Sequence, residues 1–181
     1  EQLEVLCDVL AEAWTVPPAP GQQPLDKAAQ LHELVAALWR TTRPSCRPAV
    51  LDHALACAVA RQQAPPARPV VVHGDAAPPN CLRAPRAPGH AFVDPDGFLG
   101  DPAYDLGVAL RDWSAHLLRV DAHSTMRRWA ALVCGRTGQD RAAVEQWAFL
   151  ERVSTGLVLL SLGQEELARA FLRSAEALLP P

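Results

Sequence analysis

Between His73 and Asp105 the chain concentrates side chains able to handle a proton and to hold a hard cation. The run Val70-Val71-Val72-His73-Gly74-Asp75 ends an apolar stretch in a carboxylate, and Asn80 follows Asp75 after four intervening residues. A second apolar stretch ends in acid at Phe92-Val93-Asp94-Pro95-Asp96-Gly97. A carboxylate such as Asp75 can accept or orient the proton of an attacking hydroxyl. The amide oxygen of Asn80 and the carboxylate of Asp94 are hard donors, a pair suited to magnesium rather than zinc. Magnesium bridges phosphate oxygens, so the chemistry implied is phosphoryl transfer. Taken singly, each residue has a plainer role. His-Gly-Asp is a common tripeptide whose Asp can cap a turn, Asn80 suits a turn, Asp94 before Pro95 suits a strand end, and Asp101 suits a helix N-cap. It is the order and spacing together that favour chemistry.

These residues need a platform, and the flanking periodicity supplies one. Leu3, Leu6, Val9, Leu10 and Ala13 predict a helix over 2–14. A proline-rich loop at 15–24 follows, then a helix from the N-cap Asp26 to Arg40 with Leu31, Leu34, Val35 and Leu38 on one face. A third helix is expected from Pro48 to Gln63, with Leu51, Leu55, Ala58 and Val59 inward. Val70–Val72 reads as a short buried strand; Cys81–Arg83 and His90–Val93 read as two more, joined by the turn Ala84–Gly89. Helices are expected at about 101–119, 123–135, 140–162 and 164–178, with Ser124 and Asp140 as N-caps. The fold class is mainly α with a small β insert. A single unit over 1–181 divides into a helical 1–68, a catalytic loop and β-hairpin at 69–97, and a helical 101–181.

Composition narrows the function classes. The chain has 181 residues, 49% hydrophobic, with a formal charge of −3, enough for one sizeable core. Basic residues form no stripe, so nucleic acid is not an expected partner. No apolar run reaches membrane-spanning length, and Glu1 opens into an amphipathic pattern rather than a signal sequence. Cys7, Cys46, Cys57, Cys81 and Cys134 form no CxxC pair and no disulfide framework, which reads as reduced thiols in the cytoplasm. The weakly acidic balance suits a cationic small molecule. Nothing sets the oligomeric state.

The spacing of His73, Asp75 and Asn80 resembles the catalytic loop of protein kinases, and Asp94 to Gly97 resembles their Asp-Phe-Gly element. More closely, the run from His73 to Asp112 resembles the aminoglycoside/hydroxyurea antibiotic resistance kinases, especially the streptomycin 6-phosphotransferase type. The resemblance rests on His73-Gly74-Asp75, Asn80, Val93-Asp94-Pro95-Asp96-Gly97 and Gly100-Asp101-Pro102-Ala103-Tyr104-Asp105-Leu106, with support from Glu151–Leu157 and Phe171–Ala177. It implies the C-terminal lobe of a kinase-like fold that transfers phosphate from ATP to a hydroxyl of a small molecule, such as an aminoglycoside. By it, Asp75 is the catalytic base, Asn80 and Asp94 bind Mg2+, and His73 and Asp105 support the site. Asp96 stands at a variable position of the family. The acids Asp94, Asp96, Asp101, Asp105 and Asp112 would favour a cationic antibiotic.

Two departures temper this. Ala76-Ala77 stand where the family usually has Leu-His, followed by Pro78-Pro79. No G-x-G-x-x-G run occurs, and the sole lysine, Lys27, opens a helix rather than lying on a strand. The N-terminal ATP-binding lobe is therefore expected to be missing from this chain, which alone should bind ATP poorly and transfer phosphate slowly or not at all. The competing reading is a non-catalytic, pseudokinase-like remnant or binding module.

Overall fold

The computed structural model describes residues 1–85 and 89–180; the middle of the turn expected at Ala84–Gly89 lies outside them. Three helices open the chain: α1 (Gln2–Ala13), α2 (Lys27–Thr42) and α3 (Pro48–Gln63). Asp26 caps α2 by accepting the Ala29 N–H at 2.9 Å, and Pro48 starts α3 where no intrahelical donor is needed. Leu34 and Val59, expected inward, are exposed. The buried stripes run instead through Ala28, Leu31 and Val35 of α2 and Val50, Ala54, Cys57 and Ala58 of α3. Small residues on α3 let neighbouring helices approach closely, which hydrophobic periodicity alone does not reveal.

The β insert forms two antiparallel pairs. β1 (Val70–Val72) pairs with β4 (Phe98–Gly100), placing Val70 opposite Gly100 and Val72 opposite Phe98. β2 (Cys81–Arg83) pairs with β3 (His90–Phe92). β4 was not expected from sequence. It returns the chain beside β1, and the Gly97 N–H to His73 carbonyl bond at 3.1 Å extends that pairing to the end of the loop.

The helix expected over 101–119 is two helices, α4 (Pro102–Arg111) and α5 (Ser114–Leu117). Side chains take the carbonyls that would have continued α4. Arg152 Nη2 donates to the Leu110 oxygen at 2.7 Å, Trp113 Nε1 to Ala109 at 3.0 Å, and Ser114 Oγ to Arg111 at 3.1 Å. Next comes α6 (Ala122–Thr137), capped by Asp121 rather than Ser124; the Asp121 carboxylate accepts the Ser124 N–H at 2.9 Å. α7 (Arg141–Ser161), capped by Asp140, and α8 (Glu165–Ala177) complete the chain.

α7 is the central helix and packs on α2, α3, α4 and α8. Leu150, Val153 and Leu157 on α7 join Leu106 and Leu110 of α4, Val35 of α2 and Val50 of α3 in the core. α4 meets α7 at Gly107, where a Cβ would stand 2.5 Å from that of Trp147 and 2.8 Å from the Ala148 nitrogen. Among the described residues no helix is long and apolar enough to cross a membrane. The five cysteines are free thiols.

Candidate active site

The site begins where β1 ends. Asp105, in the first turn of α4, is fully buried and acts as the anchor. Its Oδ2 accepts the His73 N–H at 2.9 Å and its Oδ1 accepts the Gly74 N–H at 2.9 Å. Trp14, just past α1, donates its indole N–H to Oδ2 at 2.9 Å. Burial pushes the Asp105 carboxyl above its ordinary range, and these three donors pull it back. Gly74 has φ +89°, and a Cβ there would lie 2.6 Å from the Asp96 Cβ, so only glycine fits between His73 and Asp75. The His73 ring bridges two segments. Its Nδ1 accepts the Asp75 N–H at 3.2 Å, which leaves Nε2 to donate to the Val93 carbonyl at 3.1 Å. The ring also packs on Phe92, with centroids 4.7 Å apart.

Asp75 stands at the surface with both carboxylate oxygens engaged. Asn80 Nδ2 donates to Asp75 Oδ2 at 2.8 Å and to the Asp75 carbonyl at 2.9 Å. Arg111 Nη2 donates to Oδ1 at 2.8 Å. Pro78 and Pro79 do not disrupt the intervening loop: Pro78–Asn80 forms a single 3₁₀ turn, and the Asn80 N–H closes on the Ala77 carbonyl at 3.0 Å. Ala76 and Ala77 are buried in the core, so the small side chains serve packing. Because the Asn80 amide nitrogen is committed to Asp75, its amide oxygen is left for another ligand.

The Val93 N–H donates to the Asn80 carbonyl at 2.9 Å, which sets the residue before Asp94 beside Asn80. Asp94 itself is exposed and adopts φ +57°, a left-handed backbone that Asp tolerates better than most residues. Among the described residues no group of three His, Cys, Asp or Glu side chains converges to hold a metal. A metal here would draw on the Asn80 oxygen, Asp94 and non-protein oxygens, the donor set that magnesium uses with phosphates.

Three of the five acids expected to attract a cation are committed elsewhere. Asp101 caps α4 through the Ala103 N–H at 3.0 Å, accepts the Trp147 indole N–H at 2.8 Å and lies 3.7 Å from Arg61. Asp105 holds the loop, and Asp112 pairs with Arg111 at 2.9 Å. Asp94 and Asp96 remain exposed. Lys27 sits over the rings of Phe98 and Tyr104, 5.4 and 5.6 Å from their centroids. A cavity of about 620 Å³ between α3, α6 and α7 is lined by His53, Cys57 and Phe149 and by none of the candidate residues.

Sequence reasoning missed Arg111, Glu151 and Tyr104. Arg111 also reaches Glu151 at 3.3 Å, and Glu151 accepts the Tyr104 hydroxyl at 2.5 Å. Burial works against the Arg111 charge, but Glu151, Asp112 and Asp75 more than offset it and hold the guanidinium above its ordinary value. Burial, then Glu151, pushes the Tyr104 phenol well up. The available signal was Glu151-Arg152, a charged pair inside the buried stretch of α7.

A family model described as the phosphotransferase enzyme family matches residues 6–129, more than half the chain and every candidate residue from His73 to Asp112. The chain belongs to the phosphotransferase enzyme family. Among curated relatives of this phosphotransferase-family chain, the streptomycin 6-kinase of Streptomyces griseus is 29% identical over 184 residues, covering 100% of this chain and 59% of the relative. The streptomycin 6-kinase of Streptomyces glaucescens is 30% identical over 177 residues, covering 96% of this chain and 56% of the relative. The chain thus spans less than three fifths of these relatives' length. Among solved structures, an aminoglycoside phosphotransferase from Streptomyces rimosus, in complex with ADP and streptomycin, matches with TM-score 0.57 at 19% identity, over 84% of this chain and 61% of that one. That likeness shows the fold: a mostly helical chain with a few short strands, similar to the aminoglycoside phosphotransferases.

Proposed function

We propose that this chain carries the catalytic-loop half of an ATP-dependent phosphotransferase that acts on a hydroxyl of a small molecule, streptomycin being the first substrate to test. The observation that carries the reading is the pair of hydrogen bonds from Asn80 Nδ2, one to the Asp75 carboxylate and one to its main-chain carbonyl, which ties Asn80 to Asp75 and leaves the Asn80 amide oxygen to another ligand. The acceptor hydroxyl meets a remaining lone pair of Asp75, which orients it in line and takes its proton as the new O–P bond forms and the bond from the γ-phosphorus to the bridging oxygen breaks, releasing ADP. Asn80 and Asp94 would hold Mg2+, which would offset the negative charge of the phosphates. His73 and Asp105 keep the loop in register and touch no substrate.

The substrate class is supported by the streptomycin 6-kinase relatives and by a structural neighbour solved with ADP and streptomycin. The glycine-rich loop and the lysine that cover ATP in such enzymes are, on this reading, supplied by residues other than these 181. Lys27, engaged with two aromatic rings at the start of α2, is not that lysine.

A non-catalytic module is favoured by two observations, the lack of a glycine-rich loop and strand lysine and the Ala76-Ala77 replacement, but both alanines are buried in the core, where small side chains pack. The test is transfer of labelled phosphate from MgATP to streptomycin, with Asp75→Ala and metal chelation as controls. Transfer that survives both sinks the assignment.

A further inference from the structure

Arg111 addresses a different carboxylate with each of its three nitrogens. Nη2 donates to Asp75 at 2.8 Å, Nε to Asp112 at 2.9 Å and Nη1 to Glu151 at 3.3 Å. The guanidinium is fixed from behind. Glu151 is buried, takes the Tyr104 hydroxyl and lies 3.4 Å from the Ser154 hydroxyl. Arg152, wholly buried, takes the Leu110 carbonyl at 2.7 Å and so holds the last turn of α4, from which Arg111 projects. Asp75 is therefore gripped at Oδ1 by a residue of α4 and at Oδ2 by Asn80 of the 3₁₀ turn. With a single grip, a carboxylate rotates about its Cβ–Cγ bond; with two from different elements, it does not.

We propose that Arg111 is a positioning residue for Asp75. By holding Oδ1 it orients the carboxylate so that Oδ2 stays on Asn80, and thereby sets the direction of the Asn80 amide oxygen. The inference rests on the reading of Asp75 as the group that orients the acceptor hydroxyl. A lysine at 111 would be a poor replacement, since an ammonium is a single point charge and a planar fork spans three acceptors.

The test compares the full chain with Arg111→Gln, Arg111→Lys and Glu151→Gln, using two readouts. One is hydrogen exchange of the Asn80 side-chain amide by proton–nitrogen NMR. The other is kcat and KM for streptomycin with MgATP. Arg111→Gln should speed exchange of the Asn80 amide roughly tenfold, since opening of the contact becomes easier. It should lower kcat by about 10- to 100-fold with KM little changed, the signature of a misplaced catalytic group rather than lost binding. Arg111→Lys should fall between. If Arg111→Gln does not fold, Glu151→Gln, which loosens the same guanidinium, gives the same reading. A fall in Tm with unchanged Asn80 exchange in a folded variant makes Arg111 merely structural and overturns the proposal. Asn80 exchange that depends on Arg111, together with phosphate transfer that survives Asp75→Ala, overturns the reading of Asp75 and leaves the positioning contact standing.

Discussion

Asp75 has four lone-pair sites, of which Arg111 and Asn80 occupy one on each oxygen. The side chain is part-exposed, so an incoming hydroxyl can reach the remaining sites. Replacing Asp75 with Ala should reduce phosphate transfer by about 10²- to 10⁴-fold, the usual contribution of a positioned acid–base group. Asn80→Ala should act differently. It would remove the proposed metal donor and one grip on Asp75 together, so both the Mg2+ concentration for half-maximal rate should rise and kcat should fall. A magnesium titration of the rate checks this. At the same scale, burial pushes the Cys57 thiol from an ordinary 9.0 to about 12 and Cys7 to about 11. Only the thiolate is nucleophilic, so both should resist alkylation at pH 8 in the native chain and react after unfolding. Mass spectrometry of pulse-alkylated protein reads this directly. That His73, Asp75 and Asn80 meet, with the strand end before Asp94 beside them, was legible in the sequence because one short loop and one hairpin join them. Arg111 and Glu151 were not, since each meets its partner across 36 and 40 positions of chain, through packing no local pattern encodes.

α4 and α7 set the distance between the anchor Asp105 and the rest of the site. They pack closely at Gly107, which lies against Trp147. Gly107→Ala should force the two helices apart and cost about 1–3 kcal/mol, seen as a lower Tm and a lower denaturation midpoint. Arg152 is the second control point, because its guanidinium joins α7 to Leu110, Ser114 and Ser174. Arg152→Ala should be destabilising by about 3 kcal/mol or more, since it leaves buried acceptors without donors and opens a cavity. Arg152→Met, which keeps the volume and removes a buried charge, should lose less, and paired urea melts compare the two. The long helices were readable from their apolar spacing and from the caps Asp26 and Asp140. β4 was not, because three residues make a strand only when β1 lies alongside. The break between α4 and α5 was not either, since it is imposed by a side chain of α7.

For the whole molecule, membership of the phosphotransferase family and the likeness to an aminoglycoside phosphotransferase agree with the constellation read from His73 to Asp105. Of the five acids that would favour a cationic substrate, Asp101, Asp105 and Asp112 are engaged with internal partners. With Asp94 assigned to the metal in the proposed reading, the exposed Asp96 is the one of the five left to meet a cationic substrate. The most direct measurement is the rate of labelled-phosphate transfer from MgATP to streptomycin by this chain and by its Asp75→Ala variant, assayed side by side. The account predicts that magnesium-dependent transfer by the unsubstituted chain, however slow, falls at least ~100-fold in the variant. Equal, measurable transfer by the two proteins would contradict it.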